Sequence, residues 1–103
     1  AIISKTYLNS YINNLDQIWR NISIIENIND GKIDGFIIKK IAENSDFIKL
    51  GLKEGDIMKS VNNNKLTSYA EALNVFNEIN NTKYVNIVIL RNNEIMELNY
   101  EIN

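Results

Sequence analysis

The order of elements in this sequence predicts an α+β domain: a leading amphipathic helix, two strands, a short helix, a strand, a capped helix and a closing hairpin. Three observations carry that reading. Between Ser4 and Arg20 apolar residues return every three or four positions, the mark of one helix face. Glu94 to Ile102 alternates apolar and polar, the period of a half-buried strand. Ser68-Tyr69-Ala70-Glu71 is a capping box, in which serine and glutamate satisfy the free amides that open a helix. At 103 residues, 45% hydrophobic and 23% charged, the chain suits one globular domain with a modest core.

In the leading helix Leu8, Ile12, Leu15, Ile18, Trp19 and Ile22 form the apolar stripe, opposite Asn9, Asn13, Asp16, Gln17 and Arg20. Ser4 or Thr6 can serve as N-cap. The helix is expected to pack on its own domain as residues 1–23, with 24–103 as the main body. Leu8, Ile12, Leu15 and Trp19 are also a candidate dimer or docking face. Ile22 to Ile28, rich in isoleucine and poorly alternating, reads as a strand, and Phe36 to Ile41 as a second. Asn44 to Gly51 reads as one or two helical turns, started by Asn44 or Ser45 and ended by Gly51. Asp56 to Val61 is a strand after the turn Lys53-Glu54-Gly55, and Asn62-Asn63-Asn64 is a further turn. The capped helix runs from Tyr69 to about Ile79. Tyr84 to Leu90 and Glu94 to Ile102 pair across Arg91-Asn92-Asn93, with Met96, Leu98, Tyr100 and Ile102 inward and Glu97, Asn99 and Glu101 outward.

Composition excludes several functions. A net charge of −2 and the lack of a basic stripe argue against a nucleic-acid surface. No run approaches the roughly 18 apolar residues of a membrane span. Cysteine, histidine and proline are absent, so no disulfide, thiolate zinc site or Cys–His nucleophile can form. The serines fall in no nucleophile motif and the 13 acidic residues show no paired spacing, so neither catalysis nor a metal or other cofactor is expected. Asn21-Ile22-Ser23 and Asn80-Asn81-Thr82 match a glycosylation pattern, as chance alone allows in so asparagine-rich a chain. The chain opens on Ala1 without a methionine and reads as a piece of a longer protein.

Asp30-Gly31-Lys32-Ile33-Asp34-Gly35-Phe36 concentrates two aspartates and two glycines. A calcium loop with Gly35 at its sixth position would put Lys32 at position three and Ile41 at position twelve. A lysine in the shell repels the ion and no bidentate glutamate closes the cage, so calcium is excluded. Asn29-Asp30-Gly31 is a turn signal. Gly35 then stands at the start of a strand, where a glycine often admits a ligand or a neighbouring backbone.

Gly35-Phe36-Ile37-Ile38, Asn44-Ser45 and Gly51-Leu52-Lys53-Glu54-Gly55-Asp56-Ile57-Met58-Lys59-Ser60-Val61-Asn62 together resemble the bacterial PDZ domain. That family carries a Gly-Leu-x-x-Gly-Asp segment leading into a strand and a Val-Asn turn. The resemblance covers roughly Ile24 to Ile102. The leading stretch Ile3 to Tyr11, continued by Asn14-Leu15-Asp16, and the loop Asn29 to Phe36 are similar to the inner-membrane protein C of the type II secretion system. The resemblance implies a PDZ-like, partly open β-barrel or sandwich with two helices plus the leading helix.

It also implies peptide binding by strand addition beside the second helix. Carried over, the groove would be lined by Asp34, Gly35, Phe36, Ile37, Ile38 and Lys39 on the strand and by Leu73, Phe76 and Asn77 on the helix. Alternation puts Phe36 and Ile38 on the groove face and Ile37 and Ile41 toward the core; in the competing reading the apolar residues pack on each other and close the groove. Asp34 stands where the family holds a terminal carboxylate, and a like charge there repels by roughly 1 kcal/mol in water. An internal segment or a folded surface is therefore the expected ligand. The implied partners are the secretin, the secreted cargo or a second copy, for a periplasmic domain of a single-pass inner-membrane protein. The alternative is a regulatory PDZ domain of a periplasmic serine protease of the high-temperature-requirement type.

Overall fold

Three tight turns set the registers of the sheet. The computed structural model describes residues 2–4, 6, 21–43, 48, 50–79 and 81–102, with backbone only at Ile3 and Phe76. These residues form β1 (Ile2–Ile3), β2 (Ile22–Asn29), β3 (Lys32–Ile41), β4 (Ile57–Val61), β5 (Asn64–Lys65), α1 (Tyr69–Ile79), β6 (Tyr84–Arg91) and β7 (Glu94–Ile102). The turns joining β2 to β3, β4 to β5 and β6 to β7 have left-handed central pairs: Asp30–Gly31 (φ 53° and 76°), Asn62–Asn63 (48° and 67°) and Asn92–Asn93 (52° and 64°). Positive φ at both positions is the type I′ signature, whose twist matches that of the paired strands. Asparagine, aspartate and glycine are the residues that accept it.

The sheet order is β1-β7-β6-β4-β3-β2, with β5 paired to β4 off the path. Only β1 against β7 is parallel; the other pairs are antiparallel. Two irregularities bend β3. Between Glu26 and Ile28, β2 advances two residues while β3 runs from Phe36 to Ile33, so Asp34 and Gly35 share one position in a bulge. Between Ser23 and Ile24 the partners jump from Lys40 to Ile38, which leaves Lys39 as the extra residue. That second bulge returns Ile41 to the face of Ile38, and both are buried.

The core has two contiguous parts. Phe36, Val61, Leu66, Val75, Val85, Tyr100 and Ile102 form one, with Ala72 and Ile79 of α1 packed on it. Ile22, Ile38, Ile41, Leu52 and Ile89 form the other. Phe36, Ile38 and Ile89 are fully enclosed, and each contributes about 1.5–3 kcal/mol by burial. The helix α1 has the predicted bounds, and the Glu71 amide donates to Ser68 Oγ at 3.0 Å as the capping box requires. On β7, Tyr100 and Ile102 are buried, but Met96 is 37% exposed because the hairpin tip reaches past the core. The Gly-Leu-x-x-Gly-Asp segment ends in a buried carboxylate. Asp56, 1% exposed, accepts from Arg91 Nε (2.8 Å), Arg91 Nη2 (2.7 Å) and the Lys53 amide (2.9 Å), and Nη2 also reaches Gly51 O at 2.7 Å.

Most of the predicted leading helix lies outside the described residues, and so does Asn44–Phe47 of the predicted short helix. The described ends differ from the expected 1–23 span, since Ile2–Ile3 is a strand on β7 and β2 already begins at Ile22.

Candidate peptide-binding groove

An added strand needs an edge whose amides and carbonyls are free. The expected docking strand, Asp34 to Lys39, does not offer one, which corrects the sequence reading. One side of β3 is taken by β2 along its length. On the other side Phe36 and Ile37 pair with Met58 and Ile57 of β4. The remaining groups there are used as well. The Gly35 amide donates to Leu66 O (3.0 Å), the Ile38 amide to Asp56 O (2.9 Å), and Ile38 O accepts from the Gly55 amide (2.8 Å). Phe36 and Ile38 belong to the core rather than to an open groove, Ile37 lies part-exposed on the opposite face, and Lys39 is exposed at its bulge.

Gly35 itself has φ 87°, and a Cβ at that position would stand 2.4 Å from Met58 O. The close approach is of a neighbouring backbone, not of a ligand. Since the Gly35 amide is engaged, it cannot hold a terminal carboxylate. Asp34 is engaged too, in an ion pair with Lys59 Nζ of β4 at 2.7 Å. This pair, outweighing the partial burial that opposes it, holds the Asp34 carboxyl below the usual aspartate value.

The free edge beside α1 belongs to β2. It is the last strand of the sheet, and among the described residues nothing pairs with its far side. Cross-strand partners share a face, so Ile24 (opposite Ile38), Glu26 (opposite Phe36) and Ile28 (opposite Ile33) all point to the α1 side. On α1, Tyr69 and Leu73 are one turn apart on one face. Tyr69 ties the two walls together. Its ring lies against Phe36, with centroids 4.9 Å apart and planes at 47°, and its hydroxyl lies within electrostatic reach of the Glu26 carboxylate. Partial desolvation first, then the Glu26 charge, pushes the Tyr69 phenol above its ordinary value. Ile28, Tyr69 and Leu73 remain 56%, 50% and 48% exposed, an uncovered apolar lining around one carboxylate.

The predicted helix residues Leu73 and Asn77 are exposed on α1, while the side chain of Phe76 lies outside the described residues. Leu8, Ile12, Leu15 and Trp19 lie outside them as well. The sequence reading missed Ile24, Glu26, Ile28 and Tyr69. The one signal for them was Glu26, a lone charge in an isoleucine run. Among the described residues no three acidic, histidine or cysteine side chains gather as a metal site, and no helix is long and apolar enough to cross a membrane.

No protein-family model and no curated protein matches the sequence. Solved structures do match in fold. A PDZ domain of EpsC from Vibrio cholerae (residues 204–305) superposes with a TM-score of 0.66 at 17% identity, covering 93% of this chain and 91% of that one. A shorter EpsC structure (residues 219–305) gives 0.60 at 18% identity, over 82% and 97%. The PDZ domain of pullulanase C protein of the type II secretion system from Klebsiella pneumoniae, solved in complex with fatty acid, gives 0.63 at 16% identity, over 91% and 98%. The open sheet with its edge strand facing α1 is thus the fold of a PDZ domain.

Proposed function

We propose that this domain is a protein–protein interaction module of a type II secretion system, the periplasmic part of its inner-membrane protein C. It docks an extended segment of a partner as an extra strand on β2, beside α1. The observation that carries this reading is the unpaired β2 edge facing the exposed Tyr69 and Leu73. Main-chain hydrogen bonds to such an edge supply affinity and the flanking side chains supply selectivity. The likeness to pullulanase C favours this assignment over the tail of a periplasmic protease. Its partners would be the secretin, secreted cargo or a second copy, the last drawing also on Leu8, Ile12, Leu15 and Trp19. The domain binds and does not catalyse.

An NMR titration of the isotope-labelled domain tests the reading. Periplasmic fragments of the cognate secretin should shift the amides of Ile24–Ile28 and Tyr69–Asn77, and an apolar peptide should do so equally as free acid or amide. Shifts elsewhere, or none, would overturn β2 as the docking edge. Shifts only with the free acid would favour the protease-type domain. A fatty acid in the same sample asks whether an alkyl chain competes for Ile24, Ile28 and Leu73.

A further inference from the structure

Resting on β2 as the docking edge, we propose that the groove selects segments with an arginine or lysine opposite Glu26, flanked two residues away on each side by apolar residues. The inner face of β2 reads apolar, acidic, apolar: Ile24, Glu26, Ile28. The bulge beside them is in β3, so β2 keeps its two-residue period and all three side chains face the gap. A strand laid along β2 places one residue opposite Glu26 on this face, with its neighbours two positions away against Ile24 and Ile28.

Charge gives the central residue its sign. The two walls, β2 (Ile22–Asn29) and α1 (Tyr69–Ile79), contain Glu26, Glu71 and Glu78 and no lysine or arginine. Among the described residues no cation pairs with Glu26, and the polar group beside it is the Tyr69 hydroxyl. A phenol is a neutral donor. A charged donor is the stronger partner, since charge-assisted hydrogen bonds are roughly twice as strong as neutral ones. The half-exposed Tyr69 ring stands beside a cation placed at Glu26, and guanidinium over a tyrosine ring adds further attraction. Arginine therefore ranks above lysine.

The test uses acetylated, amidated probe peptides with two isoleucines flanking a central arginine, lysine, methionine or glutamate, titrated by NMR into the domain and into E26K. In the native domain the order should be arginine, lysine, methionine, glutamate, with arginine bound about three- to thirty-fold more tightly than methionine. In E26K the glutamate peptide should become the tightest. Glu26 is exposed, so both domains should keep the same spectrum away from the groove. Equal affinities for all four probes, with shifts on β2 and α1, would overturn the selectivity and leave the docking edge intact. No shifts on β2 and α1 with any probe would overturn both.

Discussion

Of the chain's three glycine–aspartate steps, two, Asp34-Gly35 and Gly55-Asp56, are used by the structure in opposite ways. Each aspartate has a cation at 2.7 Å, and each glycine has positive φ, 87° and 93°. At Gly55-Asp56 the aspartate is enclosed and the glycine stands in open space, with nothing within 4 Å of where a Cβ would stand. At Asp34-Gly35 the aspartate is 43% exposed and the glycine is the crowded partner. The same residue types therefore fix a loop through charge in one place and seat a strand through the lack of a side chain in the other. Neither step belongs to the β2 edge, which lies on the far side of β3.

Removing the buried charge should have the largest effect. Asp56→Ala leaves Arg91, part-buried, without its bidentate partner and the Lys53 amide without its acceptor. Breaking one half of a buried pair costs about 3–5 kcal/mol, a large share of the roughly 5–15 kcal/mol that holds a domain folded. Urea unfolding of Asp56→Ala, Arg91→Met and the double variant gives the coupling. The double variant should be more stable than the sum of the two singles predicts, because it leaves no orphaned charge. Additive losses would mean that the corner is held by its backbone contacts instead.

Alanine at the two glycines should sharpen the contrast. Gly55→Ala meets only the left-handed backbone penalty, about 1 kcal/mol. Gly35→Ala adds a clash with the Met58 carbonyl and should cost about 2–4 kcal/mol, through a shift of β3 against β4. Thermal unfolding of the two variants ranks them. Equal losses would show that the bulge at Asp34–Gly35 yields without strain.

What was legible in the sequence is what depends on neighbours in the chain. The capping box, the asparagine and aspartate turns and the extent of β7 follow from local chemistry, and they form as expected. The Asp56–Arg91 pair spans 35 residues, and nothing near either residue points to the other. The expected docking strand has no free edge for a topological reason. Phe36 to Ile38 looks like an alternating strand from its own residues, but whether both its edges are taken depends on β2 and β4. The bulge at Lys39 also carries Ile41 to the face that simple alternation denies it. Strand β2, whose isoleucines alternate poorly, is an edge strand, and Glu26 gains meaning only beside Phe36 and Tyr69.

The smallest expected effect tests the exposed pair. Lys59 depresses the Asp34 pKa, so the folded state holds that proton less tightly than the unfolded chain does. Stability from the pair is therefore complete above the ordinary aspartate value of 3.8 and is lost as pH falls through the lower folded value. With Asp34 43% exposed, solvent screening limits the pair to about 0.2–1 kcal/mol. Lys59→Met should thus be less stable than the native domain by that amount near neutrality, and the two should converge in acid. Added salt should narrow the neutral gap in the same way. A gap that persists at low pH would assign the role of Lys59 to packing of its aliphatic stem. Binding at the proposed docking edge should be unchanged by Lys59→Met, because the pair sits on β3 and β4 and that edge is β2.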